Sequence, residues 1–184
     1  MEFFEEAHHG TPPWDIGRPQ WEVVRLEESG KIYGDVLEVG CGTGENALYL
    51  AGRGHEVWGV DSAPSAIKIA RRKAEERSLA VTFPVQDTLN LHEIGRTFDT
   101  VIDIGLFHTL SDNERPCFVR NLSEVLKPKG TYFMLAFSDG EPGGFGPRRI
   151  KQKEILVAFS DGWRINEIRA TIFESRTRAE GPHA

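Results

Sequence analysis

Short apolar runs alternate with segments of helical periodicity along most of the chain. Such short runs, bounded by glycine, proline and polar residues, predict buried strands, whereas apolar residues three or four positions apart predict one face of a helix. The predicted strands are residues 35–39, 56–60, 80–85, 98–104, 132–137 and 163–173. The alternation is typical of an α/β fold in which a doubly wound, mostly parallel sheet carries helices on both faces.

Helix signals fill the intervals between the predicted strands. Helices are predicted over residues 45–53 and 151–159, and two more begin near residues 63 and 111. Ser62 is the expected N-cap of the helix near residue 63, because a serine hydroxyl accepts from the first free N–H groups of a helix. Ligands of such sheets bind beyond the carboxyl ends of the strands, so the residues just after each strand are the functional candidates.

The first predicted strand runs into a turn with glycine at every second position, Glu38-Val39-Gly40-Cys41-Gly42-Thr43-Gly44-Glu45. Two interpretations fit this turn. Gly42-x-Gly44-x-x-Ala47 matches a dinucleotide fingerprint, whereas Glu38 with the three glycines forms an acid–glycine motif. A pyrophosphate favours the positive end of a helix, and the carboxylates of Glu38 and Glu45 beside it would be costly. The same turn suits a ligand that carries an amine and a positive centre.

Carboxylates also follow the second and third predicted strands. Asp61 can accept hydrogen bonds from both hydroxyls of a ribose, which is a common role for an acid at this place. Asp87 can accept from the exocyclic amine of an adenine. Acids at successive strand ends therefore predict a site for a nucleoside-containing ligand.

With these motifs the sequence resembles a class I S-adenosylmethionine-dependent methyltransferase, from residue 13 to about residue 173. The resemblance implies a Rossmann-like fold, S-adenosylmethionine as cofactor and S-adenosylhomocysteine as product. Glu38 would hold the methionyl amine, directly or through water. The cofactor contacts that it implies are Trp14, Glu38, Gly40, Cys41, Gly42, Gly44, Asp61, Ser62, Asp87, Thr88 and Ile104. An NAD-dependent oxidoreductase, and a non-catalytic protein that keeps the cofactor fold, are the alternatives from other classes.

The N-terminal segment narrows the resemblance. Pro13-Trp14-Asp15-Ile16-Gly17 resembles the P-W-D-x-G segment of a branch that contains thiopurine, thiol and halide methyltransferases, with tellurite-resistance methyltransferases nearby. In that branch the segment covers the cofactor, and an indole there can contact the sulfonium by a cation–π interaction. Packing of Trp14 within the cover is the alternative. Arg18 is a candidate for substrate binding through an anionic group, or else a surface partner of Asp15.

In this family the residues after the fourth strand pass beneath the transferring methyl group. Asp103 and His108 are the ionisable side chains there, and both are candidate catalytic residues, His108 as a general base or as a residue that positions others. Phe107 is a candidate substrate contact. Thiols need little base catalysis, because the thiolate is already a good nucleophile. We therefore expect S-methylation of a small thiol by in-line displacement, with O- or N-methylation of another metabolite as the alternative.

Two later segments carry weaker expectations. In the branch, the loop after the fifth strand walls the acceptor pocket, so Phe145 is a candidate substrate contact unless this loop is only a surface loop. The family fold ends with a seventh strand, but the residues after 173 are polar. We expect that strand to be missing or truncated.

Composition limits the partners. The chain has 184 residues and a net charge of −6, so it offers no broad basic surface, and nucleic acid is not expected as a partner. The two cysteines lack the spacing of a metal site or a disulfide framework, and the N-terminus has no long apolar run. We expect a cytoplasmic protein with no metal and no membrane partner, and leave its oligomeric state open. Residues 1–184 are expected to form one domain, with residues 1–30 as the cover and 35–173 as the core.

Overall fold

A five-stranded parallel sheet forms the centre of the molecule. The computed structural model describes residue 5 and residues 11–141 and 146–176. The strands are β1 (Asp35–Val39), β2 (Glu56–Val60), β3 (Val81–Thr82), β4 (Phe98–Ile104) and β5 (Leu126–Leu135). Their order is β3-β2-β1-β4-β5, and each neighbouring pair is parallel. The predicted α/β fold is confirmed.

Helices connect the strands and cover the sheet. They are α1 (Trp21–Glu28), α2 (Glu45–Gly52), α3 (Pro64–Glu76), α4 (Glu114–Val125) and α5 (Gln152–Ala158), with short 3-10 segments at Thr88–Ile94 and Phe107–Thr109. In the part of the chain that the structure describes, no helix has both the length and the apolar character needed to cross a membrane.

Alternating residues of the strands supply two separate cores. Val36 of β1 and Ile102 of β4 face one core, which also contains residues of α1, α2 and α3. Leu37 of β1 and Val101 of β4 face the other, which contains residues of α4. Because successive strand side chains point to opposite faces, a strand buried on both sides reads as a continuous apolar run. This is why β1 and β4 could be recognised as short apolar stretches.

The direction of the strand order changes beside β1. From β1 the chain continues to β2 and β3 on one side, whereas β4 and β5 lie on the other side. The carboxyl ends of β1, β2 and β4 therefore meet at one edge, where sheets of this kind bind ligands.

The predicted sixth strand is wrong. Residues 163–173 form no strand, and the described sheet ends at β5. Trp163 packs with its ring edge-on to Phe159, and farther along the chain Arg169 and Thr171 bond the carboxylate of Glu22. The segment thus crosses back towards α1, where Arg169 and Thr171 hold it, and it does not extend the sheet.

Two other elements, β3 and α3, differ from their predicted bounds for local reasons. β3 is shorter than predicted, with a single further bridge from Val85 to Asp61, because Pro84 has no N–H to donate to a neighbouring strand. Ser62 is not the N-cap of α3. Ala63 takes that position without a side-chain bond, and its N–H donates to Asp61.

Candidate active site

The turn between β1 and α2 uses the backbone freedom of its glycines. The φ angles of Gly40, Gly42 and Gly44 are 66°, 53° and 83°. A Cβ on Gly40 would lie 3.0 Å from the Cβ of Leu106, and one on Gly44 would lie 2.8 Å from the ring of Phe83. Glycine is favoured both by the left-handed backbone and by this close approach. The turn therefore lies against the residues that follow β3 and β4.

Cys41 joins the turn to the end of β2. Its N–H donates to the carbonyl of Val60 at 2.9 Å, while its side chain is buried in the core. Burial raises the pKa of the thiol well above its usual value. Any contact of Cys41 with a cofactor would thus come from its backbone.

Asp61 ties the glycine turn to the start of α3. Its carboxylate accepts from the N–H of Gly42 and from the N–H of Ala63, both at 2.9 Å. The side chain is half-buried at the end of β2, where a ribose acceptor is expected. The carboxylate therefore holds the glycine turn in place and also lies where the ribose is expected.

Glu38 is a buried acid beneath the turn. Its two carboxyl oxygens accept from Asn46 Nδ2 at 2.8 Å and from the N–H of Ala47 at 2.9 Å. Burial raises its pKa to about 8, because water no longer stabilises the charged form; the two hydrogen bonds oppose this shift. A cationic amine placed beside Glu38 would restore its charge, which fits the methionyl amine of the expected cofactor.

The structure brings the adenine-side candidates next to Asp61. The N–H of Gln86 donates to the carbonyl of Asp61 at 2.9 Å, which fixes the following Asp87 near the end of β2. Asp87 caps a 3-10 segment by accepting from the N–H of Leu89. Its neighbour Thr88 is buried.

Ser62 and Ile104 complete the predicted set of cofactor contacts. Ser62 follows Asp61 and is half-buried. Ile104 is the last residue of β4 and is also half-buried, two residues before the Leu106 that contacts the glycine turn. Both lie at the same sheet edge as Asp61, as expected.

Asp103 organises the turn after β4. Its carboxylate accepts from the N–H groups of Leu106 and Phe107 and from the hydroxyl of Tyr132 at 2.8 Å. The side chain has no exposed surface, and burial raises its pKa to about 7. The expectation of a catalytic Asp103 is corrected, because its carboxylate is occupied by two N–H groups of the turn and by the Tyr132 hydroxyl.

Phe107 is also corrected. Its side chain is fully buried, and its ring packs against Phe118 and Phe159. The residue fills the core beneath the turn and offers no surface to a substrate. Phe145, the other predicted aromatic contact, lies outside the described residues and stays a prediction.

His108 lies in an aromatic cluster. Its Nδ1 accepts from the N–H of Phe137 at 3.0 Å, and its ring lies 4.9 Å from that of Phe137 and 5.8 Å from that of Phe173. Burial lowers its pKa to about 4, and the charges of Arg149 and Arg115 add to this effect. The ring is neutral at physiological pH, with its proton on Nε2, so it is a weak base.

The N-terminal segment (residues 11–22) is anchored to the glycine turn. The hydroxyl of Thr43 donates to Asp15 Oδ2 at 2.8 Å, and the N–H of Gln20 donates to Asn46 Oδ1 at 2.8 Å. Trp14, next to Asp15, is half-buried. Its predicted cofactor contact is untested, but the anchor holds its segment at the correct sheet edge.

Arg18 pairs with a residue that sequence reasoning did not consider. Its guanidinium donates to both carboxyl oxygens of Glu174, at 2.7 and 3.1 Å, and the surface pairing with Asp15 is wrong. Its proposed contact with an acceptor stays a prediction.

Three other residues of the site were missed. Asn46 connects Glu38 to the N-terminal segment, Thr43 holds Asp15, and Glu5 accepts from the N–H and hydroxyl of Ser65 at the start of α3. Asp15 belongs to the P-W-D motif, so Thr43 in the glycine turn could have been predicted as its hydrogen-bond partner. The other two pairings cannot be recognised from the local sequence.

Comparison with known proteins decides the family. The model of the methyltransferase domain family matches residues 36–130, just over half of the chain and most of the site described above. The chain belongs to this methyltransferase family. The NAD-dependent oxidoreductase considered above is therefore excluded in favour of a methyltransferase, and the cofactor is S-adenosylmethionine.

Two curated relatives have named substrates or substrate classes. The 2-heptyl-1-hydroxyquinolin-4(1H)-one methyltransferase of Mycobacteroides abscessus is 37% identical over 91% of this methyltransferase and 79% of that protein. A probable thiol methyltransferase 2 of Arabidopsis thaliana is 28% identical over 79% of this chain and 65% of its own length. Both are named as methyltransferases of small molecules.

Solved structures agree on the fold. A structure concerned with the conversion of a disulfide bond into a thioacetal group during echinomycin biosynthesis has a TM-score of 0.86 and 36% identity, covering 95% of this chain and 83% of that one. Magnesium protoporphyrin IX methyltransferase of Synechocystis PCC 6803 with bound S-adenosylmethionine has a TM-score of 0.67 and 24% identity, covering 84% and 72%. At the lower identity the likeness establishes the fold alone.

Proposed function

We propose that this methyltransferase methylates the sulfur of a small thiol. The observation that carries the proposal is the state of the ionisable groups after β4. Among the described residues after β4, the Asp103 carboxylate accepts hydrogen bonds from the turn and from Tyr132, and His108 accepts one from the Phe137 N–H. The carboxylate of Asp103 is occupied by these partners, and the low pKa of His108 makes it a weak base, so the acceptor must bring its own nucleophilic form.

A thiol meets this requirement. Its thiolate is populated near neutral pH and is a strong nucleophile without help from a base. Bound S-adenosylmethionine supplies the activated methyl group, which the sulfur takes by in-line displacement to leave S-adenosylhomocysteine. The chain then has to align the two reactants and exclude water, and alignment alone can contribute about 7–11 kcal/mol.

The cofactor contacts proposed here follow from the chemistry of the edge. Glu38 is a buried acid suited to an amine, and Asp61 and Asp87 are suited to ribose and adenine. The N-terminal segment, anchored through Asp15 and Gln20, would cover them with Trp14. The set carries carboxylates where a pyrophosphate would need donors, so it fits S-adenosylmethionine better than a dinucleotide.

A second candidate is methylation of an acidic hydroxyl group. It is favoured by the 37% identity to a methyltransferase of a 1-hydroxyquinolinone, whose named substrate contains no sulfur. An acidic hydroxyl would also arrive partly ionised, and so it satisfies the same requirement for an acceptor that needs no base.

The test is methyl transfer measured by mass spectrometry with S-adenosylmethionine and matched acceptors. Thiophenol, phenol, aniline and an N-hydroxyquinolinone would be offered separately. Methylated thiophenol above all others supports the proposal, whereas transfer to the N-hydroxyquinolinone alone would replace it with the second candidate.

Two variants sharpen this test. Asp61→Ala should lose S-adenosylhomocysteine binding and turnover together, since it removes the expected ribose acceptor. His108→Gln should keep thiol turnover within about tenfold, because the proposal gives the imidazole no proton to move. A much larger loss, with the cofactor still bound, would make His108 a catalytic base after all.

A further inference from the structure

A buried arginine near His108 has no role in the methyl transfer described above. Arg115 lies in the first turn of α4, and its side chain is only 7% exposed. Its guanidinium carbon lies 5.0 Å from the centroid of the Phe107 ring, the residue that precedes His108. Arg115 therefore packs against the core directly beneath the turn that follows β4.

One edge of this guanidinium lacks partners. Nη1 donates to Glu154 Oε1 at 3.1 Å and to Asp112 Oδ1 at 3.4 Å. Nε and Nη2 are buried and have no acceptor in the part of the chain that the structure describes. Buried donors are nearly always hydrogen-bonded, because losing water without replacement is costly. This vacant edge therefore needs an explanation.

The two vacant donors form a specific recognition element. Nε and Nη2 lie on the same edge of the planar guanidinium, and their N–H groups point in parallel. Two parallel donors match the two oxygens of a carboxylate, in the bidentate arrangement that makes arginine the preferred partner of such groups. A lysine could not supply this geometry.

A second guanidinium group, that of Arg149, lies in the same region. Arg149 lies 5.9 Å from the centroid of the Phe137 ring, which in turn contacts the ring of His108. The charges of Arg149 and Arg115 both contribute to the low pKa of His108, so both guanidinium groups are close to it.

We propose that the Nε–Nη2 edge of Arg115 binds a carboxylate of the methyl acceptor. The acceptor class is then a small thiol that also carries a carboxylate. This inference rests on the proposed function and names the substrate class of the same site. Because the edge is buried, the side chains that cover it have to move when the acceptor binds.

The test uses ligands without sulfur, so that it does not depend on thiol methylation. Benzoate and the neutral benzamide would be titrated by calorimetry into the protein saturated with S-adenosylhomocysteine. The wild type should bind benzoate about tenfold to a hundredfold more tightly than benzamide. Arg115→Gln should lose this preference and keep its affinity for S-adenosylhomocysteine, which also shows that it folds. Arg115→Lys should lose most of the preference, since lysine keeps the charge but lacks the two parallel N–H donors.

Arg148→Gln is the matched control. Arg148 is paired with the same two carboxylates, Asp112 and Glu154, but its side chain is 42% exposed. Removing this cation should leave the preference for benzoate unchanged. An equal loss of the benzoate preference in both variants would mean that the positive charge of the arginines selects the ligand, whichever arginine supplies it. The proposal for the Nε–Nη2 edge of Arg115 would then be wrong.

Two further outcomes would also overturn the subsite. Equal binding of benzoate and benzamide by the wild type would mean that water satisfies the vacant edge. An equal loss of both ligands in Arg115→Gln would give the arginine a structural role only. Turnover of thiophenol and 2-mercaptobenzoate separates the two proposals. Methylation of both thiols without a preference would support thiol methylation and contradict the carboxylate subsite. A preference for benzoate without turnover of either thiol would support the subsite and contradict thiol methylation.

Discussion

Replacing Glu38 with glutamine should change how the stability of the protein depends on pH. Glu38 has a pKa of about 8 in the folded protein, against 4.5 for an unperturbed glutamate. Between these values the unfolded chain is ionised at this position while the folded protein keeps the proton. The folded state thus binds more protons, and its free energy of unfolding falls as the pH rises through this window.

The magnitude follows from the size of the window. Each pH unit costs about 1.4 kcal/mol, so the wild type should lose about 3 kcal/mol at this site between about pH 5 and about pH 7.5. Glutamine does not titrate, and Glu38→Gln should lack this loss. A fixed cost arises where the new amide meets Asn46 Nδ2, but it is the same at both pH values and cancels in the comparison.

The assay is urea unfolding of both proteins at the two pH values. The stability of Glu38→Gln relative to the wild type should increase by about 3 kcal/mol from the lower to the higher pH. Glu45→Gln is the control. Glu45 pairs with Lys73 and Arg77, and its pKa is lowered despite partial burial, so its contribution is constant over this range. Parallel pH profiles for the wild type and Glu38→Gln would refute the reasoning.

The same variant should bind the cofactor poorly. If Glu38 holds the methionyl amine, glutamine removes a charge-assisted hydrogen bond, and the affinity for S-adenosylhomocysteine should fall about tenfold to a hundredfold. A variant that is more stable at neutral pH but binds less tightly would separate the two roles of this acid. Unchanged affinity would remove Glu38 from the cofactor site.

Three other predictions concern the turn after β4, the cover and the acceptor. Gly105→Ala should destabilise the fold by about 1–3 kcal/mol in urea unfolding, since φ is 92° and the new Cβ would lie 2.9 Å from the Phe173 ring. Glu174→Gln should weaken S-adenosylhomocysteine binding up to about fivefold by calorimetry, because its exposed pair with Arg18 is worth about 1 kcal/mol at most; equal affinity would exclude a role in holding the cover. Finally, kcat/KM for two aryl thiols should rise with pH at the thiol pKa of each, and a shared midpoint would point to a base on the protein.

The sequence predicted the parts of the site that depend on local signals. Glu38, Asp61 and Asp87 each follow or end a short apolar run, and the alternate glycines between them require a left-handed backbone. Each of these features can be recognised from a few consecutive residues. The parallel order of the strands then brings them to one edge, which general rules of α/β sheets anticipate.

The errors came from partners that are far apart in the chain. Asp103 looked catalytic because its bond to Tyr132, 29 residues away, is not visible in the sequence. Asp15 was the surface partner considered for Arg18, but the guanidinium bonds Glu174, which is 156 residues away. Residues 163–173 carry a strand-like pattern of apolar side chains, but such a pattern reports burial of one face and not which element covers it.

The contact between residues 13–22 and 169–176 sets an order for assembling the site during synthesis. The N–H of Arg176 donates to the carbonyl of Pro13 at 2.8 Å, and Gln20 exchanges hydrogen bonds with the backbone of Glu174. The ribosome releases the glycine turn, Asp61 and β4 long before residues 169–176. A nascent chain can therefore form the sheet first, and it can fasten the N-terminal segment only after residues 169–176 have emerged. Retention of the cofactor by stalled chains of increasing length would show whether the N-terminal segment closes at that step.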